Sequence, residues 1–307
     1  MRHCMQNWEL YCLSDDHDSK CIQWGMEWLK YFPRPLYEEL RQIPYETLRD
    51  IRLYAEAPCR VNTLSGEKML QIVLDRKLLY QTVQELCRNR LRISPEATGQ
   101  GYITLEGGHR VGLCGRVTQE GKALVLQEVG SVCIRIAHAV TGCGIQTAEE
   151  FMRTGQGIVI CGLPGSGKTT HLRDVLRILS QKGITAGLCD ERSEVAACVQ
   201  GVPQLDVGER THVLDGCPKA EALRWLLRGM CPRVLAMDEL YGENECEAIC
   251  DAAACGVPVI ATVHAADEKT LMQRKGVARL FAQGVFGAAV FLRGGQVSTV
   301  KRAEEIR

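Results

Sequence analysis

At 307 residues the chain is long enough for two buried cores, and its 37 Lys plus Arg are balanced by 37 Asp plus Glu. That balance disfavours non-specific nucleic-acid binding, which shows as a basic excess. The 16 cysteines run from Cys4 to Cys255 with no C-x-x-C pair, which argues against a disulfide framework or a paired zinc site.

Residues 1 to about 30 have mixed composition and no sustained period, and read as a divergent or poorly ordered head over 1–33. The stretch Met1–Glu9 lacks an apolar core of signal-peptide length. The apolar run Leu280–Leu292 has 13 residues interrupted by Gln283 and two glycines, too short to span a bilayer. The reading is a soluble, cytoplasmic protein.

An α+β domain is expected over 34–143. Leu36–Leu40 opens a short helix, and Asp50–Glu56 alternates at period two as a half-buried strand does. Met69–Leu74 is a further strand. Asp75 then caps a helix predicted over 78–91, with Leu78, Leu79, Val83, Leu86 and Cys87 facing inward. Gly107-Gly108 between alternating runs marks a hairpin, and His109 and Arg110 beside it are either functional or rim residues of a turn. Ser131–Ile136 closes the region, and Gly142-Cys143-Gly144 marks a boundary.

From 144 to 307 strands and helices alternate, which predicts an α/β domain with a parallel sheet and helices on both faces. Ile158–Cys161 reads as a buried strand. Gly162-Leu163-Pro164-Gly165-Ser166-Gly167-Lys168-Thr169 then matches G-x-x-x-x-G-K-[ST] without departure. Thr170 follows, then a helical face at Leu172, Val175, Leu176 and Leu179. Strand, glycine loop and helix are the context in which this Walker A sequence binds phosphate. Backbone N–H groups close on the oxygens and the helix N-terminus adds positive potential. Lys168 reaches the β- and γ-phosphates of ATP, and Thr169 offers a hydroxyl to Mg²⁺.

Three more strands end in polar groups. Thr185–Cys189 leads into Asp190-Glu191-Arg192-Ser193-Glu194, at the sheet edge where open α/β sheets bind ligands. Arg233–Met237 leads into Asp238-Glu239, a Walker B pattern: Asp238 joins Thr169 in the Mg²⁺ shell, and Glu239 deprotonates a water, with Glu191 and Glu194 as alternative bases. Val257–Val263 leads into His264. Cys161 and Cys189, at strand ends, act as small hydrophobes. Cys246, Cys250 and Cys255 are structural or, less in keeping with zinc spacing, metal ligands.

The order of P-loop, acidic box, Asp238-Glu239 and Ala261-Thr262-Val263-His264 resembles the hexameric ATPases of type II and type IV secretion systems. Gly107–Leu113, Asp190–Glu194 and Val213–Glu221 resemble a sporulation branch of that family. The resemblance implies a RecA-like core behind the N-terminal domain, working as a homo-oligomeric ring, likewise a hexamer. It also implies a sporulation role, energising a membrane channel complex from the cytoplasmic face, and a sensor role for His264, whose alternative is a satisfied structural histidine. The γ-phosphate of a half-open site needs further positive charge from an arginine in trans. Arg192, Arg210, Arg110, Arg116 and Arg135 are candidates. Competing readings are a nucleic-acid translocase or recombinase, a nucleotide-dependent assembly switch, and a small-molecule kinase.

Overall fold

In the computed structural model, which describes residues 27–86, 103–120, 123–138 and 140–306, the chain divides into two units, 1–137 and 138–307. The first begins with a 3-10 turn, Glu27–Tyr31. It continues through α1 (Arg34–Leu40), β1 (Leu48–Tyr54), β2 (Pro58–Thr63), β3 (Gly66–Val73) and α2 (Arg76–Leu86), then β4 (Ile103–Thr104), β5 (Arg110–Glu120) and β6 (Ala123–Arg135). The strands make an antiparallel sheet ordered β3-β2-β1-β6-β5-β4. Alternation along β1 buries Ile51 and Leu53, and a register shift between Leu48 and Asp50 lets Leu48 join them. In α2, Leu79, Val83 and Leu86 repeat at helical spacing and are buried. The Asp75 carboxylate accepts from the Leu78 N–H at 2.6 Å, so the helix starts two residues before its expected first turn. Cys87 and Leu91 lie outside the described residues.

Two expectations change here. The last residues of the head expected over 1–33 join the first unit's core. Residues 1–26 lie outside the described residues, but Trp28, Leu29 and Phe32 pack into the first unit's core. A five-residue 3-10 turn carries no period to read, so its burial was invisible in sequence. His109 is no rim residue either. It is fully buried, its ring lies 4.7 Å from that of Trp28, and its Nδ1 accepts from the Ala137 N–H at 3.1 Å.

The division falls after Ala137 rather than at Gly142–Gly144. The Gly144 N–H donates to the buried Asp174 carboxylate at 2.7 Å, which ties the glycine pair to the second unit. That unit runs α3 (Ile145–Thr154), β7 (Gly157–Gly162), α4 (Lys168–Gln181), β8 (Ala186–Asp190), β9 (Thr211–Asp215), α5 (Lys219–Gly229) and β10 (Val234–Met237). It finishes with α6 (Glu243–Ala254), β11 (Val259–His264), α7 (Glu268–Met272), α8 (Lys275–Ala282), β12 (Phe286–Arg293) and β13 (Gln296–Arg302).

The sheet order is β13-β12-β7-β11-β10-β8-β9, parallel except for β13 at one edge. Every residue of β7 is buried because both faces of the sheet are covered. Val159 and Cys161 meet α5, α6 and α8 on one face. Ile158 and Ile160 meet α3 and α4 on the other. The carboxyl ends of β7, β8, β10 and β11 therefore come to one edge. No described helix is long and apolar enough to cross a membrane.

Candidate nucleotide site

Beyond β7 the backbone turns through Gly162–Gly167 into α4. The turn demands glycine twice. A Cβ on Gly162 would fall 2.2 Å from Ser166 Oγ, and Gly167, which caps α4, has φ +89°. The tip of the β12–β13 hairpin closes against this turn, with the Gly295 N–H donating to the Ser166 carbonyl at 3.1 Å. Leu163, Pro164 and Gly165 are exposed at its crest, and Thr170 is half-buried in the first turn of α4.

Lys168 follows and is only 6% exposed. Its Nζ donates to the Leu163 carbonyl at 3.0 Å and to His264 Nδ1 at 3.0 Å. Burial pushes the ammonium below its ordinary range, with Asp238 and Glu239 pulling it back. An ammonium has only protons to give, so His264 Nδ1 accepts. The ring proton then sits on Nε2, 3.1 Å from Glu239 Oε1, and donates to it. Arg192 Nη1 donates to Glu239 Oε2 at 3.1 Å. Partial burial pushes the Glu239 carboxyl up, but the His264 hydrogen bond and the charges of Arg192 and Lys219 outweigh it and hold the group below the ordinary carboxylate range.

Thr169 Oγ1 donates to Asp238 Oδ2 at 2.6 Å. The Thr262 hydroxyl donates to Asp238 Oδ1 and accepts from the Glu239 N–H. Two hard oxygens, Thr169 Oγ1 and Asp238 Oδ2, thus lie side by side at a helix N-terminus, a donor set that suits Mg²⁺. Ser166 Oγ is buried with no protein partner among the described residues, as an acceptor oxygen of a ligand would require. The residues present fit a Mg²⁺–nucleotide.

The acidic box is shaped by its first residue. Asp190, 2% exposed, accepts from the N–H groups of Glu194 at 2.9 Å, Val195 at 3.2 Å and Ala196 at 2.8 Å. Burial pushes its carboxyl up against the opposing pull of those N–H groups. Arg173, from α4, donates to the carbonyls of Glu194 and Val195 and fixes the box to the phosphate-loop helix. Glu191 pairs with Lys219 at 3.6 Å. Glu191, Arg192, Glu194, Lys219, Asp238 and Glu239 line one cleft.

The structure therefore gathers Lys168, Thr169, Asp238, Glu239, His264 and Arg192, with Glu191 and Glu194 along the cleft. Arg210 is not among them. It precedes β9 and its N–H donates to Ser180 Oγ, at the amino end of a strand of five residues, about 17 Å from the carboxyl edge. Sequence reading missed Lys219 and Thr262. Thr262 had a signal, a hydroxyl inside an otherwise apolar strand. Lys219 had another, a cation at the first position of a helix, against the macrodipole.

A family model described as "Sporulation stage III, protein AA" matches residues 33–302. Stage III sporulation protein AA of Bacillus subtilis (strain 168) is 32% identical over 265 residues, which span 83% of this chain and 86% of that protein. Among solved structures, the pilus retraction motor PilT with bound ADP superposes with TM-score 0.57 at 18% identity, over 86% of this chain and 80% of that one. The Legionella pneumophila ATPase DotB superposes with TM-score 0.54 at 16% identity, over 85% and 77%. At those identities the likeness establishes the fold, that of the RecA-like secretion ATPases. With most of its length matched by the family model and by a full-length relative, the chain belongs to the Sporulation stage III, protein AA family.

Proposed function

We propose that the chain is an ATPase using ATP and Mg²⁺, that it works as a homo-oligomeric ring of six, and that it energises a sporulation-associated membrane channel from the cytoplasmic side. The observation that carries the reading is the single bonded constellation at the sheet's carboxyl edge. Lys168, His264 and Glu239 are joined in series, and Thr169 is joined to Asp238 beside them.

Lys168 leaves the Leu163 carbonyl and His264 to neutralise β- and γ-phosphate oxygens. Glu239 is held ionised, the form in which it accepts a proton from an attacking water. His264, released from Lys168 and still bonded to Glu239, reports the change at the phosphate to the base. Mg²⁺ on Thr169 and Asp238 would supply charge neutralisation to the phosphates. Arg192 is engaged by its own chain's Glu239, so the remaining charge calls for an arginine from a neighbouring subunit. Arg210 and the first unit's Arg110, Arg116 and Arg135 are the candidates. Family membership supports the sporulation role, and the likeness to an ATPase and a retraction motor supports the coupling of hydrolysis to a membrane complex.

The test is Glu239→Gln. ATP binding should persist while phosphate release falls about 10²–10⁴-fold. A near-normal rate would move the base to Glu191 or Glu194. Wild-type protein that binds ATP without hydrolysing it would make the chain an assembly switch, and stimulation by single-stranded DNA would make it a translocase.

A further inference from the structure

We propose that Lys219 is a positioning residue for Glu239, holding the backbone of that acid in the conformation from which its carboxylate meets His264. The proposal rests on the reading above for what Glu239 does, but its geometry stands apart from that reading.

Glu239 has φ +54°, in the left-handed region that a side chain with a Cβ avoids. Such a residue persists only when its surroundings fix it. Here five backbone polar groups between Glu239 and Gly242 are held. The Glu239 N–H donates to Thr262 Oγ1 at 2.8 Å, and the Leu240 N–H to the Thr262 carbonyl at 2.8 Å. The N–H groups of Tyr241 and Gly242 donate to Glu245 Oε2 at 2.7 and 3.1 Å. The Glu239 carbonyl is held by Lys219 Nζ at 2.8 Å.

Lys219 is an unusual choice for an ordinary helix residue. It opens α5, where the helix dipole opposes a cation, and its side chain is only 10% exposed. What offsets that placement is its surroundings. Nζ lies 3.6 Å from Glu191 and 3.9 Å from Glu245, as well as on the Glu239 carbonyl. A neutral donor could satisfy the carbonyl but would leave the two carboxylates without their cation. One ammonium thus joins the acidic box, the turn after β10 and the first turn of α6. Glu191 is the counter-charge of that bracket.

The experiment compares wild-type protein with Lys219→Met and Lys219→Arg in two readouts. The first is amide hydrogen exchange over 237–241, which needs no activity. Lys219→Met should exchange at least tenfold faster there with peptides over 162–168 unchanged, and Lys219→Arg should restore protection. The second is the split of ATP hydrolysis. In Lys219→Met kcat should fall at least tenfold while KM for the magnesium nucleotide stays within twofold. If Lys219→Met does not melt cooperatively, Lys219→Gln carries both readouts in the same direction. Unchanged exchange over 237–241, or a rise in KM at constant kcat, would overturn the assignment. If wild-type protein hydrolyses nothing, the ATPase reading falls and the exchange result alone decides the role of Lys219.

Discussion

Among the described residues the first unit buries two polar side chains, Thr82 and His109, and each is tied to a backbone group. The second buries Thr147, Lys168, His171, Asp174, Ser180, Asp190 and Thr262, charged groups among them. The first has a sheet to hold against two helices and does so with apolar residues. The second keeps charge where water does not reach, which is costly unless each group is paired. Yet burial alone does not mark chemistry. Asp174 accepts from the Gly144 N–H and pairs with Arg177 at 2.7 Å, and Asp190 accepts from the backbone N–H groups of its own loop. Lys168 and Thr262 differ in their partners: Lys168 donates to His264, and Thr262 bonds the Asp238 carboxylate and the Glu239 N–H.

The contrast breaks most sharply at Lys168. Lys168→Ala should bring phosphate release to background while the cooperative melt remains, because the fold does not depend on the ammonium. Wild-type turnover in that variant would remove the site. The next effect belongs to the first unit. Trp28 is 1% exposed, so Trp28→Ala should cost about 3–5 kcal/mol of stability in urea titration, with the nucleotide affinity of folded protein unchanged.

A third test separates buried polarity from function. Burial pushes the His171 imidazole down to about 4. The folded protein therefore stays unprotonated where the unfolded chain, titrating near 6.5, takes up a proton. The contribution is full above about pH 6.5 and is lost as pH falls towards 4, on the order of 3 kcal/mol. His171→Phe should flatten that acid limb, measured by urea midpoints across the range, while phosphate release at neutral pH persists. The smallest effect is at the cap of α2. Asp75→Ala should cost about 1 kcal/mol, seen as a small shift of the urea midpoint.

Much of the second unit was legible because its strands are short apolar runs that end in chemistry. Ile158–Cys161 before a glycine loop, Val234–Met237 before Asp238-Glu239 and Val259–Val263 before His264 each announce a buried parallel strand and what stands at its end. The first unit hid more. β2 begins at Pro58 and carries Arg60 and Asn62 outward, so it lacks a hydrophobic run, and it is recognised through its pairing with β1 and β3. β9 is half-buried throughout and equally quiet. In the candidate site, residue types pointed to Lys168, Thr169 and Glu239, which the fold brings to one edge. They did not foretell that Arg192 would serve Glu239 within its own chain, or that Lys219 would reach the same residue. Those facts depend on which loops meet at the edge, and spacing in sequence does not carry them.

The order of the strands also sets a timetable for synthesis. β7, which ends in the phosphate loop, pairs with β11 and β12, both from the far end of the chain, and the loop itself is closed by Gly295. As the chain leaves the ribosome, Gly157–Gly162 therefore emerges with none of its sheet neighbours yet made. At ordinary translation speeds the wait is on the order of ten seconds. A fully apolar strand held unpaired for that long is a target for chaperones and for wrong pairing. The loop after β7 therefore gains its sheet neighbours and its Gly295 contact only once β11, β12 and the hairpin turn have been made.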